Sequence, residues 1–266
     1  MQPNTTTAGL DAGGVSLHLW PDTASIPADD VEGGADWLGA SERARLAGLR
    51  GQRRREFILG RVLLRSALSA AAGCRSPRDW QLIERHELPP LLKTEDGSRN
   101  FSVSHSGGYI AVAVGCRAGM GVDIERHRPR RFLALAEHWF HPNEFECVRA
   151  LAGDAQAQAF FRIWTLKEAA LKSRCAGIFS GYLRQLDFSA SQAVSPGAGQ
   201  GPVCRLAAAP YRDTSLAVTV DSAATLRVFE WSSEALGNQH YSPRTLVLAT
   251  QEYAVRWPES ESARAK

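Results

Sequence analysis

The chain has 266 residues, 44% hydrophobic and 22% charged, enough to bury one large core or two small ones. A net charge of +3 is too weak to argue for nucleic acid without a concentrated basic patch, and no apolar run nears the roughly 18–20 residues that span a bilayer. Five scattered cysteines (Cys74, Cys116, Cys147, Cys175 and Cys204) form no CxxC pair and no metal-ligand spacing, and residues 1–14 lack the basic-then-apolar order of a secretory signal, so a cytoplasmic protein with reduced thiols is expected.

In chain order, residues 1–14 are rich in Thr, Gly and Ala and are expected to fray, and Val15–Trp20 alternates as a first strand. Ser41 is placed to cap a helix through Glu42–Leu46, and a longer helix follows over Gln52–Ala72, stopping at Gly73. These two helices carry Arg43, Arg45, Arg50, Arg53, Arg54, Arg55, Arg61 and Arg65 against only Glu42 and Glu56. A solvated helical face and an anion site are both open readings, because guanidinium forks match phosphate oxygens.

Strands are expected at Trp80–Arg85, Phe101–His105, Tyr109–Gly115 and Met120–Arg126, with Ser106-Gly107-Gly108 as a hairpin turn. Helical periodicity returns at Arg131–Phe140, Asn143–Leu151 and most strongly at Ala155–Cys175. After a Gly/Pro-rich loop at Ser195–Pro202, strands are expected at Val203–Ala208, Leu216–Val220 and Leu226–Trp231. Short elements at Thr245–Ala249 and Tyr253–Trp257 complete the pattern, and Pro258–Lys266 reads as disordered. Helices then strands, twice over, predict an α+β protein of two similar halves joined near 116–119. The subdomain boundaries are expected at 15–117 and 118–232, with a partly disordered C-terminal extension over 233–266.

Two stretches carry chemistry. In Gly121-Val122-Asp123-Ile124-Glu125 the alternation of a strand puts Asp123 and Glu125 on one face, where they repel unless solvated or bridged by a cation. On the helix Ala155–Cys175, the residues Phe161, Trp164, Leu171 and Cys175 form an apolar stripe with Glu168 in its middle. A surface pair with Lys172 is the plainer reading of Glu168, yet a lone carboxylate on an apolar stripe is costly unless paired or metal-bound. Three carboxylates without His or Cys favour Mg²⁺, with Mn²⁺ possible, over Zn²⁺, and point to phosphoryl chemistry. In Phe101–Gly108, Ser104 and His105 point to opposite strand faces and no GxSxG elbow is present, so His105 reads as an anion contact rather than a triad base.

The segments F-S-V-S-H-S-G, G-V-D-I-E and W-T-L-K-E-A-A-L-K, in this order and about 15 and 40 residues apart, resemble the Sfp-type 4′-phosphopantetheinyl transferases. The likeness covers roughly residues 101–175, and R-R-R-E-F-I-L-G-R-V-L-L-R upstream is similar to the family's first long helix. The resemblance implies two α/β subdomains in pseudo-twofold arrangement, with coenzyme A bound in the cleft between them. It implies transfer of 4′-phosphopantetheine to a serine of an apo acyl or peptidyl carrier protein, releasing adenosine 3′,5′-bisphosphate. It assigns Asp123, Glu125 and Glu168 to Mg²⁺, with Glu168, Lys172 and Glu144 catalytic. Ser104, His105 and Lys172 would contact phosphates, and Arg55 with Arg53 the 3′-phosphate. A monomer is expected, with neither nucleic acid nor membrane as partner. The family's Gly-Lys-Pro is replaced by Glu87-Leu88-Pro89-Pro90, and its Gly-Lys-Gly by Arg174-Cys175-Ala176-Gly177, so the lysines that hold coenzyme A are missing there. The basic run Arg126, Arg128, Arg130 and Arg131 is a candidate docking surface for an acidic carrier. The competing classes are a Mg²⁺-dependent phosphatase or nuclease, and an arginine-rich nucleic-acid binder that would leave Glu168 unexplained.

Overall fold

The computed structural model describes residues 14–73, 75–86, 88–93, 99–116, 119–176, 181–190, 203–220, 226–232 and 243–257. The expected frayed ends at 1–13 and 258–266, the loop at 195–202, Cys74, Glu87 and Gly177 lie outside them. Helices and strands mix as an α+β fold, divided into two units: Met1–Met120 with Ala223–Val247, and Gly121–Ser222 with Leu248–Lys266. Among the described residues no helix is long and apolar enough to cross a membrane.

In the first unit, α1 (Ala28–Ala35), α2 (Ala40–Ala47) and α3 (Gly51–Ala72) follow the strand β1 (Val15–Trp20). A hairpin, β2 (Gln81–Arg85) and β3 (Leu88–Lys93), stands apart from the main sheet, which includes β4 (Asn100–Ser106) and β5 (Tyr109–Gly115). Helix α3 supplies the core: Ile58, Leu59, Val62, Leu63 and Leu68 are buried with Trp20, Ile110, Val112 and Val114. β4 and β5 join through Gly107 and Gly108, whose φ values of 57° and 92° are those of a type I′ hairpin, which β-carbon-bearing residues resist. Ser41 does not cap α2. Glu42 does so instead, accepting the backbone N–H of Gly39 at 2.8 Å, while the Ser41 hydroxyl donates to Leu82 O (3.3 Å) and accepts from Glu84 N (3.1 Å).

The arginines of α2 and α3 are mostly consumed inside this unit. Arg65 forks onto Glu42 at 2.5 and 3.0 Å, both side chains being almost wholly buried, and Arg61 lies 2.5 Å from Glu84. Arg45 meets the other oxygen of Glu84 at 2.7 Å, and Arg54 pairs with Glu32 at 2.6 Å. Arg50 donates to the carbonyls of Ala47 and Leu49. Of the eight, only Arg43 and Arg53 remain as exposed side chains without a described partner, so an anion site built from the whole set is overturned. The missed carboxylates, Glu32 and Glu84, lie outside the two helices.

The second unit begins with β6 (Val122–Arg126), then α4 (Phe132–Trp139), α5 (Pro142–Arg149) and α6 (Gly153–Ser173). β7 (Val203–Tyr211), β8 (Thr214–Thr219) and β11 (Gln251–Arg256) complete its sheet in the order β11-β7-β8-β6. α6 buries Leu166, Ala169, Ala170 and Leu171 against Leu206, Ala208, Ala217 and Tyr253. Its first half joins α4 and α5 through stacked aromatic rings, including Phe140 on Phe160 at 5.1 Å and Phe160 on Trp164 at 6.0 Å.

The chain then departs from sequence order. β9 (Leu226–Glu230), expected with the second half, runs parallel to β1, and β10 (Arg244–Leu246) pairs with β9, giving the first-unit sheet the order β10-β9-β1-β5-β4. Within the expected extension 233–266, β10 thus serves the first unit and β11 pairs with β7 in the second. Such pairings between distant segments leave no local mark in a sequence.

Candidate active site

Among the described strands the acidic strand β6 is the outer one of its sheet, beside β8, with Asp123 opposite Ala217 and Glu125 opposite Ser215. Gly121 sets how close α6 approaches. A β-carbon at Gly121 would lie 1.9 Å from the carbonyl oxygen of Ala169, so only glycine fits between this strand and the helix. Gly121 is held from the other side by Thr219, whose hydroxyl accepts the Gly121 N–H at 2.8 Å and whose own N–H donates to Gly121 O at 2.8 Å. The contact lies one residue from Glu168, so close backbone approach carries that carboxylate to the acidic face of β6.

Glu168 feels both strand carboxylates. Its pKa is raised to about 7: burial is the largest cause, the charge of Asp123 adds to it, Lys172 pulls it back, and Glu125 adds a smaller upward push. Its Oε1 is buried and accepts no hydrogen bond. The plainer alternative, a surface pair with Lys172, is not among the described ion pairs. Lys172 Nζ turns instead to Asp123 Oδ1 at 2.7 Å and to the carbonyl of Val122 at 3.2 Å. Asp123 is nearly buried, while Lys172 remains about one-third exposed. Close by on the same strand line, His127 stacks on Phe161 at 4.9 Å and meets the Ser215 hydroxyl at 2.9 Å.

Among the described residues, no three His, Cys, Asp or Glu side chains converge into a ready metal cage. The donor chemistry nonetheless suits a hard cation. The three groups are all carboxylates, they repel one another, and Glu168 Oε1 is an uncompensated buried acceptor. Lys172 lies beside them, paired with Asp123 at 2.7 Å.

Glu144 does not join this group. It is fully buried in an ion pair with Lys167 at 2.7 Å, itself fully buried. Glu144 Oε2 also accepts the N–H of His141, closing the capping box of α5, and Oε1 accepts the N–H of Phe188 at 2.8 Å. Lys167 donates further to the carbonyls of Leu183 and Leu186. Burial raises the Glu144 pKa against the pull of Lys167, and burial lowers that of Lys167. With both oxygens occupied and no exposed surface, Glu144 ties α5 to α6 and to Phe188 in this structure and does not reach the acidic face of β6. Lys167, the residue before Glu168, is the side chain that pins α6 to α5 and to the segment 183–188.

The remaining expected site residues belong to the first unit. Ser104 is buried on β4, and His105 at its end is half exposed. Arg55 spends Nε on the carbonyl of Thr23 (2.6 Å) and Nη2 on that of Ile26, which occupies much of the fork expected for a phosphate. Arg53 is exposed. His105 has a partner the sequence did not suggest: its Nδ1 lies 3.0 Å from Oε2 of the nearly buried Glu56 on α3. The signal was present only as a glutamate among arginines.

Comparison with known proteins adds to this geometry. The sequence model of the 4′-phosphopantetheinyl transferase superfamily matches residues 119–219, which span β6 to β8 and include Asp123, Glu125, Glu168 and Lys172. The chain is 32% identical over 166 residues to the 4′-phosphopantetheinyl transferase HetI of Nostoc sp., a match covering 61% of this chain and 70% of that protein. It is 35% identical over 133 residues to the 4′-phosphopantetheinyl transferase AcpT of Salmonella typhimurium, covering 47% of this chain and 60% of that relative. It is 28% identical over 121 residues to a 4′-phosphopantetheinyl transferase of Bacillus subtilis, covering 46% and 52%. The chain therefore spans between about half and 70% of these relatives.

Proposed function

The chain belongs to the 4′-phosphopantetheinyl transferase superfamily, an enzyme class, and from that membership we propose that it moves 4′-phosphopantetheine from coenzyme A to a serine of an apo acyl or peptidyl carrier protein. The proposal includes dependence on Mg²⁺ and release of adenosine 3′,5′-bisphosphate. The observation that carries it is the convergence of Asp123 and Glu125 on Glu168, whose buried carboxyl both push upward in pKa, beside Lys172.

Asp123, Glu125 and Glu168 would hold Mg²⁺, with Mn²⁺ suited to the same oxygen donors. Bound there, the ion neutralises charge on the pyrophosphate of coenzyme A. Lys172, partly exposed beside Asp123, stabilises the negative charge that grows on the leaving phosphate. Glu168 is the general base of this reading, a carboxylate that takes the serine hydroxyl proton as the serine attacks. His105, with Ser104, meets a phosphate of coenzyme A, and exposed Arg53 remains the better candidate for the 3′-phosphate than Arg55. The exposed Arg126, Arg128, Arg130 and Arg131 offer an acidic carrier a basic landing surface, Arg126 being already engaged with Asp213 at 2.8 Å.

The test is to incubate apo carrier proteins of fatty-acid, polyketide and nonribosomal-peptide type with coenzyme A and Mg²⁺. A mass gain of one phosphopantetheine on serine is expected, and its distribution among carriers identifies the substrate. Phosphate-ester hydrolysis without mass gain on any carrier would replace the transferase with the phosphatase or nuclease reading.

A further inference from the structure

A half-exposed histidine at a strand end is a weak anion ligand by itself. Neutral imidazole carries no charge, and its proton can sit on either nitrogen. At His105 the choice is made by Glu56. A carboxylate only accepts, so the nitrogen facing it, Nδ1 at 3.0 Å from Glu56 Oε2, must donate. Nε2 is then the nitrogen left for an incoming group.

Glu56 is itself held in place. Its Oε1 accepts Gln52 Nε2 at 3.0 Å, one turn back on α3, and the N–H of Gly108 at 3.4 Å, from the turn between β4 and β5. Burial tends to raise its pKa, but hydrogen bonds from His105, Gln52 and Gly108 together hold it below the ordinary carboxylate range, so the group is ionised. Oε1 alone already ties α3 to the turn. Oε2 is committed to a ring that is half in solvent, a contact that adds little to folding and fixes the orientation of one exposed side chain.

We propose that Glu56 is a positioning residue of the coenzyme A site. It fixes the Nδ1 proton of His105 and balances the imidazolium formed when the ring takes a solvent proton at Nε2 and donates it in a hydrogen bond to an arriving phosphate. This rests on the reading of His105 as a ligand of a coenzyme A phosphate, and it adds Glu56 as the group through which the histidine acts.

Glu56→Gln separates this role from folding. The amide has one acceptor oxygen, which can serve Gln52 and Gly108 only while its NH₂ faces His105. Nδ1 must then accept, and the proton moves to Nε2. The ¹⁵N chemical shifts of the His105 ring are expected to show a proton on Nδ1 in the wild type and on Nε2 in the variant. KM for coenzyme A should rise about five- to tenfold with kcat within about twofold, as expected for an interaction made equally before and during reaction. In a His105→Ala background, Glu56→Gln should add nothing further to KM. If Glu56→Gln is too unstable for kinetics, His105→Gln removes the ring, leaves the Oε1 contacts of Glu56 intact, and should give the same rise in KM. An unchanged ring-proton position together with an unchanged KM would overturn the positioning role. A wild type that transfers nothing to any carrier would defeat the coenzyme A reading instead, while the ¹⁵N shifts still decide whether Glu56 sets the His105 proton.

Discussion

Lys167 and Glu168 are neighbours on α6 with opposite fates. Lys167 points to α5 and is fully enclosed, its ammonium shared by Glu144 and the carbonyls of Leu183 and Leu186. Glu168 points to β6, where it meets two further carboxylates and keeps a buried oxygen without a partner. One region has as many partners as it has charges. The other gathers three carboxylates, two of which push up the pKa of the third. A satisfied buried pair holds a fold together, whereas an unbalanced cluster stores repulsion that an arriving cation would relieve. The contrast separates scaffold from candidate site within two adjacent residues.

The largest expected effect is on the satisfied side. Lys167→Met strands the Glu144 carboxylate in the interior and should cost about 3–5 kcal/mol of stability. The double variant Lys167→Met/Glu144→Leu should recover much of that loss, because the cost lies in the uncompensated charge. Denaturant unfolding of the single and double variants measures both. A double variant as unstable as the single one would mean that the pair is more than scaffold.

On the unbalanced side the sign reverses. Glu168→Gln should reduce transfer by roughly 10²–10³-fold, the scale of losing one oriented charge-stabilising group, while thermal stability without metal holds or rises because repulsion is relieved. The pH dependence follows from the raised pKa. Folded Glu168 binds its proton more tightly than in the unfolded chain, where the value is the ordinary 4.5. Its contribution to stability is therefore complete below about 4.5 and is lost as pH rises through about 7. Added Mg²⁺ should raise the melting temperature more at about pH 8 than at about pH 5.5, and Glu168→Gln should flatten that difference. Equal Mg²⁺ shifts at both pH values, in wild type and variant alike, would show that the trio does not bind the ion.

How much of this was legible in the sequence depends on the range over which each residue finds its partner. The strand Gly121–Glu125, the helix carrying Glu168 and the Gly107–Gly108 turn are written in local alternation, periodicity and φ preference, and the chain folds them as read. The stripe expected around Glu168 holds only in part, since Phe161 and Leu171 are buried while Trp164 is half-buried and Cys175 is exposed past the helix end. Glu144 looked acidic and available because its partner Lys167 lies 23 residues away on another helix. Arg61 and Arg65 looked like an anion site because Glu42 and Glu84 reach them from outside α3. α1 was missed because its Gly33 and Gly34 weaken the helical signal, although Gly34 packs tightly on Ile58 and Val62. β9 beside β1 joins residues more than two hundred positions apart, for which no periodicity exists.

Gly121 tests whether the closeness of α6 and β6 creates the unbalanced side. Gly121→Ala forces a methyl group toward the Ala169 carbonyl, where backbone and not a flexible side chain is in the way. A cost of about 1–3 kcal/mol is expected by the scale of overpacking, together with displacement of Glu168 from Asp123. The measurable consequence is a smaller Mg²⁺-induced rise in melting temperature than in the wild type. A destabilised variant with an undiminished Mg²⁺ shift would uncouple the close approach from the cluster.

The smallest effect lies just past the helix end. Cys175 takes φ +52° and is exposed, its N–H donating to Lys172 O and that of Ala176 to Leu171 O, the hydrogen-bond pattern of a Schellman cap. Glycine is the residue that enters this left-handed conformation without steric cost. Cys175→Gly should therefore relieve strain, offset in part by the greater freedom glycine gives the unfolded chain, for a net gain of about 0.5–1 kcal/mol. The cap begins three residues beyond Lys172, so the change also asks whether strain at the helix end helps to place that lysine against Asp123. If Lys172 is fixed by its own contacts to Asp123 and Val122, stability rises and KM for coenzyme A stays constant. A stabilised variant with a raised KM would instead assign the strained cap to the unbalanced side of α6, which would then extend beyond the carboxylates to the turn that ends the helix.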